Sequence, residues 1–574
     1  MHSKLYWLAG VTLLVGIAVT ALVITPWHNL EAFALPKLVS LTLSVGLAGI
    51  FLLFSEFGLR RAWDSFCNVV VISILLCFVN LIVNHKFMSE RIFGVQGRNV
   101  GALTLFCLFL LSLLAFLATD MVSHAKALAA IKTASFFVAI YFLAQDQGLD
   151  LANWEDSYAL PSSTLGNPNF VSSFVAIGII ATLPTIVSKA TQTRLKTLIV
   201  FTTFLEILVL MRLNAFQGFL IVLFGLVLLI IIHLAQGLHT KKTRIIKLLA
   251  LSLVLPFSLM QLISKNENFL LGYDTETIRA RIEYWSAGIR MGIDSPLFGK
   301  GFDSYGEYYL RFRSSSSDVI ELNLGSNSAH NYFIDMLVFG GLPLLLCMLI
   351  LVYIVLSRNF ERLSQARERK VKNSSKVSSE HGLLLAWFGF LVHSCLSPIN
   401  LPLAYLGFLL TGLLAKTDFR DSHDKDFRAT DSKFRIRSKR LIKYGLKSQL
   451  LFKVLIFTFL FSLPFLSLYP LNADAKFRDA IEEGNGTQIL AVALSSPKSF
   501  ERMDYASQIF IANGLTGFAL QLARDMVTAN PENVRGWKLL EELGTSESEI
   551  ALARVRIQQL DPVGSRMRLN EQSK

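Results

Sequence analysis

"GALTLFCLFLLSLLAFLAT", Gly101 to Thr119, runs nineteen residues without a charged side chain. Wound as a helix at 1.5 Å per residue, it covers roughly 30 Å, the thickness of a hydrocarbon core. Comparable runs recur along the chain. Thirteen spans are expected, at roughly 6–25, 38–54, 66–83, 101–119, 127–144, 168–187, 197–211, 218–236, 248–264, 333–357, 383–398, 403–415 and 450–469. The composition agrees: 53% of the 574 residues are hydrophobic, only 17% are charged, and the mean hydropathy is +0.49. A soluble globular protein, a disordered chain and a disulfide-rich secreted domain are excluded. The expected class is an all-α polytopic membrane protein.

The formal charge of +13 invites a nucleic-acid reading until its position is traced. With the N-terminus inside, the segments left in the cytoplasm sum to +18, and the outer loops and C-terminal tail together to −5. Positive residues retained inside are the main determinant of orientation. The basicity is therefore topology, and no nucleic-acid partner is expected. The two densest inner clusters, Arg358 to Lys376 and Lys416 to Lys447, read as stop-transfer anchors that could also meet anionic lipid headgroups. The first span follows Lys4, is too long for a cleaved leader and lacks a small-residue cleavage site, so a retained signal anchor is expected. All five cysteines fall within spans, which leaves no disulfide framework and no cysteine metal site.

The expected organisation is a membrane core over 1–415 with a long outer loop at 265–332, a basic cytoplasmic linker at 416–449, a last span at 450–470, and an extracytoplasmic domain at 471–574. The long loop holds Trp285, Tyr305, Tyr308 and Tyr309, which argue for order. In the tail, apolar residues recur at helical spacing over 499–513, 515–528, 534–543 and 549–560. Pro497, Pro531 and Pro562 punctuate it at intervals of 34 and 31 residues. "GFALQLARDMVTANPENVRGWKLLEEL" is loosely similar to a tetratricopeptide repeat, a helical pair of about 34 residues. Such a tail either docks a protein partner or substrate, or simply caps the structure.

Chemistry is sought among polar groups at the outer ends of the spans. In "LGNPNFVSSF", Leu165 to Phe174, Asn167 can cap the sixth span and Pro168 suits its first turn. A helix start of this kind also presents free N–H groups to an anion. Arg212, in "LVLMRLNAFQGF", stands at the turn between spans seven and eight, where an arginine either snorkels or pairs with an anion. "TIRARIEYWSAGIRMGIDSPLFGKGFDSYGEYY", Thr277 to Tyr309, sets Arg281 and Trp285 four apart on a helix with Arg279 and Arg290 nearby. Its glycine-rich turn at Gly299 and Gly301 lacks the Walker spacing and follows no strand, so it reads as a turn at the membrane surface. In "SNSAHNYFIDMLVFGGLP", Ser326 to Pro343, His330 stands at the mouth of the tenth span with Asp335 about a turn inside. A histidine at such a boundary is either a satisfied interface residue or a general base. No histidine or carboxylate pattern has metal-ligand spacing, and neither metal nor cofactor is expected.

Together these pieces resemble the O-antigen ligase/polymerase family of polytopic bacterial glycosyltransferases, which includes protein O-oligosaccharyltransferases. The likeness rests on "GNPNF" at Gly166 to Phe170, Arg212, "RIEYW" at Arg281 to Trp285, "PLFGKGF" at Pro296 to Phe302, and "AHNYF" with Gly341 downstream. It covers most of 1–415. The chain departs from the pattern at Leu344, where a second glycine is usual, and at Phe339, where an acidic residue is common. The resemblance implies a glycan donor carried on a polyprenyl diphosphate, usually undecaprenyl, at the outer face of the cytoplasmic membrane. It implies transfer to a hydroxyl of a glycolipid, polysaccharide or protein, without metal. In that scheme Arg212 and Arg281 grip the diphosphate and His330 takes the proton from the attacking hydroxyl. Arg98, in "GVQGRNVG", resembles a further outer arginine of the family. Arg279, Asn167, Asn169 and Asn331 are the remaining expected contacts to diphosphate or glycan. Ligase, polymerase and protein glycosyltransferase all remain open. A polysaccharide or lipid transporter is less favoured, since no half-to-half repeat is visible and the polar groups avoid the midplane. A non-catalytic envelope scaffold is the third class.

Overall fold

The computed structural model describes residues 2–55, 64–152, 161–188, 190–213, 215–235, 275–315, 326–368, 375–416 and 424–566. Among the described residues there is no strand. The protein is an all-α polytopic membrane protein. Seven of its described helices are long and apolar enough to cross a membrane, and three shorter ones are equally apolar.

The membrane bundle is built from α1 (His2–Leu22), α2 (Ala34–Phe54), α3 (Ser65–Val83), α5 (Ala102–Ala118), α6 (His124–Asp146), α7 (Pro168–Val187), α8 (Thr193–Arg212) and α9 (Phe216–Ala235). It is completed by α12 (Tyr332–Glu368), α13 (Ser375–Leu396), α14 (Leu401–Ala415) and the long α15 (Asp424–Glu483). Each of the twelve spans expected within the described residues coincides with one of these helices. The ninth, at 248–264, lies outside the described residues. Helix α7 runs through the middle, buried along most of its length against α13 and α9. The hydroxyls of Thr42 and Ser467 pair at 2.7 Å where α15 lies on α2.

Three further helices decorate one end: α4 (Met88–Phe93), α10 (Thr275–Asp294) and α11 (Tyr305–Phe312). The turn at Pro296 to Gly301 is anchored against a break in α12. Gly341 there has φ 70° and ψ −168° inside the helix. The freed backbone groups are satisfied by the turn: Leu342 N donates to Pro296 O and Lys300 N to Val338 O, both at 2.7 Å. Asn80 on α3 adds bonds to the carbonyls of Phe298 and Phe339. A Cβ on Gly299 would stand 2.3 Å from Val338 O, so the glycine there is a requirement of close approach. The turn expected at the membrane surface is thus the clasp that closes a helix kink.

Helix α15 continues through 471 as far as Glu483, and neither Pro464 nor Pro470 ends it. The tail follows as α16 (Gly486–Leu494), α17 (Phe500–Ala512), α18 (Thr516–Ala529), α19 (Val534–Leu543) and α20 (Glu547–Leu560). It is docked on the loops at the α4/α11 end. Phe87 belongs to the tail's own core with Phe477, Phe500 and Phe510. The buried Arg313–Asp561 pair joins the segment after α11 to the tail at 2.8 Å.

Candidate active site

Five segments meet at that same end around a cavity of about 260 Å³. They are the start of α2, the loop after α4, the start of α7, the segment before α12, and the α13–α14 link. All five are loops or helix starts that alternation of the spans sets on one side of the bundle.

The 326–331 segment presents His330. Its φ of 53° is a left-handed value that a non-glycine residue adopts only when its surroundings impose it. The surroundings here are explicit. His330 N donates to Ser328 Oγ, whose hydroxyl donates to Asp335, and Asp335 also accepts from Ala329 N. The imidazole stacks on Tyr284 of α10, with ring centroids 5.4 Å apart. Tyr284 is held in turn by Tyr305, which donates to its carbonyl at 2.7 Å. Burial, then the charges of Arg281 and Arg98, lower the His330 pKa from 6.5 to about 3. The ring is therefore neutral near pH 7.

The second charged wall is Arg98. Its guanidinium is 3.3 Å from Asp303 and 4.0 Å from Asp335. Its three side-chain nitrogens are buried and donate no hydrogen bond among the described residues. Asp303 fixes the loop that carries Arg98 by accepting from Val95 N and Val100 N. Asn99 and Asp303, like His330, have φ near 54°. Of the three, only His330 lines the cavity; Asn99 follows Arg98 in the chain and Asp303 faces its guanidinium, so the left-handed residues cluster at and beside the site.

The expected site residues separate into two groups. His330, Arg98 and Asn167 line the cavity. Arg281, half-buried one turn before Tyr284, is close enough for its charge to act on His330. The others lie elsewhere. Arg212 is exposed at the end of α8, with Asp146 at 3.8 Å. Arg279 is exposed on α10. Asn169 sits in the first turn of α7, where its carbonyl accepts from Ser172 and Ser173. Asn331 caps α12 through Phe333 N and Ile334 N and donates to Cys395 O. Asn167 does both jobs, capping α7 through Asn169 N while facing the cavity.

Sequence reasoning missed Lys37, Glu31 and Asn400, which also line the cavity. Lys37 stands one residue before the expected start of the second span, where a lysine reads as an ordinary interfacial charge. Among the described residues no cluster of histidine, cysteine, aspartate or glutamate could hold a metal ion.

Fold and cavity together define a membrane-embedded protein with a cationic, histidine-bearing site at one end of its bundle. Residues 198–349 match the O-antigen ligase domain, which supports a glycosyltransferase-like membrane ligase of polysaccharide assembly. The matched region includes Arg212, Arg281 and His330; it does not extend to Lys37, Arg98 or the tail. In general the family implies a lipid-linked glycan donor and a polysaccharide acceptor. No curated protein matches the chain.

Proposed function

We propose that the protein transfers a glycan from a polyprenyl diphosphate to an acceptor hydroxyl, at the outer face of the cytoplasmic membrane. The observation that carries this reading is His330 bracketed by two arginines, Arg98 and Arg281, at a cavity between spans. A diphosphate supplies the hydrogen-bond acceptors that the buried nitrogens of Arg98 lack, and such bonds strengthen as the leaving group gains charge. The acceptor oxygen forms its bond to the anomeric carbon, the carbon–oxygen bond to the diphosphate breaks, and His330 takes the hydroxyl proton. The polyprenyl diphosphate leaves with the bonding pair. Burial, and after it the charges of the two arginines, makes His330 a poor base. A bound diphosphate offsets their charge and raises the histidine's basicity, so donor binding prepares the base. Arg212, at the rim of the bundle, is proposed as a diphosphate contact outside the cavity, and Arg279, Asn167, Asn169 and Asn331 as supporting contacts.

The charge asymmetry of the loops supports a cytoplasmic N-terminus and an extracytoplasmic tail. The tail is proposed to dock a macromolecular acceptor or assembly partner, and unchanged acceptor use after deletion of 474–574 would refute that. Ligase, polymerase and protein O-oligosaccharyltransferase differ only in the acceptor. The test is to incubate purified protein with a lipid-diphosphate oligosaccharide and candidate acceptors and to identify the product by mass spectrometry. Transfer is expected from the wild type and not from His330→Ala or Arg281→Ala. Wild-type rates in both variants would sink the assignment.

A further inference from the structure

Lys37 lies in the first turn of α2 and is only 2% exposed. Its Nζ donates one hydrogen bond, to Val23 O at 2.8 Å, just past the end of α1. An ammonium has three donors, and a buried one is costly unless an anion or several acceptors answer it. The nearest carboxylate by sequence is already committed. Glu31 accepts from Phe33 N, Ala34 N and Leu35 N with both its oxygens, capping α2. Among the described residues no carboxylate lies within ion-pair distance of Lys37 Nζ. The Phe33 ring lies 5.5 Å from the ammonium, and the charge of Glu31 favours it from beyond ion-pair distance. The α2 N-terminus also disfavours a cation, because its N–H groups carry partial positive charge.

Lys37 lines the same cavity as Arg98 and His330. Arg98 also has donors to spare: Asp303 and Asp335 stand 3.3 and 4.0 Å from its guanidinium, but its three buried nitrogens donate no hydrogen bond among the described residues. Two cations from different walls therefore face one cavity with donors to spare. A single phosphate oxygen satisfies one such group; a diphosphate, with several acceptor oxygens and more than one negative charge, satisfies both.

We infer that Lys37 is a donor-binding residue of this site, contacting the diphosphate of the lipid-linked substrate from the α2 wall while Arg98 and Arg281 contact it from the others. This rests on the reading of the cavity as a lipid-diphosphate site. It adds to that reading a cation that lies outside the matched family region, contributed by a helix that is otherwise uncharged.

The test measures binding of geranylgeranyl diphosphate to the full-length protein in detergent, with geranylgeraniol as the uncharged control. Lys37→Met removes the charge at similar volume, and Lys37→Arg keeps it. Lys37→Met is expected to weaken diphosphate binding at least tenfold, to leave geranylgeraniol binding unchanged, and to melt at or above the wild-type temperature, since it relieves a buried charge. Lys37→Arg is expected to retain most of the affinity. Wild-type diphosphate affinity in Lys37→Met overturns the inference, and so does a fall in melting temperature with affinity intact, which would mark the Val23 bond as the residue's whole role. If the wild type itself binds the diphosphate no better than the alcohol, the underlying reading of the cavity falls too.

Discussion

Two of the places where the described residues hold charge away from water are finished differently. Lys132 on α6 donates to Glu206 and to Thr203 Oγ1 on α8, and Ser135 donates to the other Glu206 oxygen at 2.6 Å. That group is complete: one cation, one anion and two hydroxyls. At the cavity, Arg98 and Lys37 keep donors unanswered and His330 is held in a strained conformation. Charge inside a membrane protein is either closed on itself, as an inter-helix fastening, or left open toward a ligand. The contrast separates structural from functional ionisable residues more sharply than residue type does.

The largest effect expected from this contrast is catalytic. Arg281→Ala and His330→Ala should lower transfer by about two to four orders of magnitude, the usual range for losing an acid–base or electrostatic partner. Both should insert and melt much as the wild type does. At the closed pair the pattern reverses. Lys132→Met or Glu206→Gln alone strands a buried group and should cost about 3–5 kcal/mol of stability. The double variant should recover most of it, and the transfer rate per folded molecule should stay near wild type. Denaturant titration in detergent beside a transfer assay reads both, and a double variant as unstable as the singles would break the comparison.

A smaller effect concerns pH. His330 is neutral in the folded chain down to about pH 3, while in the unfolded chain it protonates near 6.5. The unfolded state therefore binds the extra proton between those values, so this contribution to stability is present above pH 6.5 and is lost as pH falls toward 3. Melting temperatures of the wild type should drop over that window more than those of His330→Gln. Equal slopes would show that the imidazole is not held neutral. The smallest effect belongs to Arg212. It is exposed, and its partner Asp146 stands 3.8 Å away. Arg212→Ala should therefore raise the apparent KM for donor several-fold with little change in stability, and a loss as deep as that of Arg281→Ala would bring Arg212 into the cavity.

The membrane helices were legible because each needs a continuous apolar run of known length, a local property. The tail helices α17 to α20 were legible for the same kind of reason, an apolar stripe at helical spacing. Helix α16 was not expected: nine residues between an asparagine cap and a Ser–Ser–Pro stretch are too few to show a period. Packing also ties the tail to the end of the bundle. Gln96, from the loop that carries Arg98, donates to Asp474 of α15 and accepts from Ser499, and Glu90 of α4 accepts from Phe500 N. These contacts join residues about 380 to 410 apart in sequence, and no local pattern announces them.

The site shows the same division. His330, Arg281 and Arg98 drew attention as polar groups at span ends, yet so did Arg212 and Arg279, and nothing local separates the two sets. Lys37 and Asp303 drew none, because a lone lysine at a helix start and an aspartate in a turn are ordinary surface features. From the amino-acid order alone come the class of protein, the helices and the end of the bundle to search, since hydrophobic burial and charge retention act through composition and spacing. Which charges are answered and which stay open was decided by tertiary structure. That depends on where α2, the Arg98 loop and the His330 turn converge, and convergence of distant segments is a property of packing.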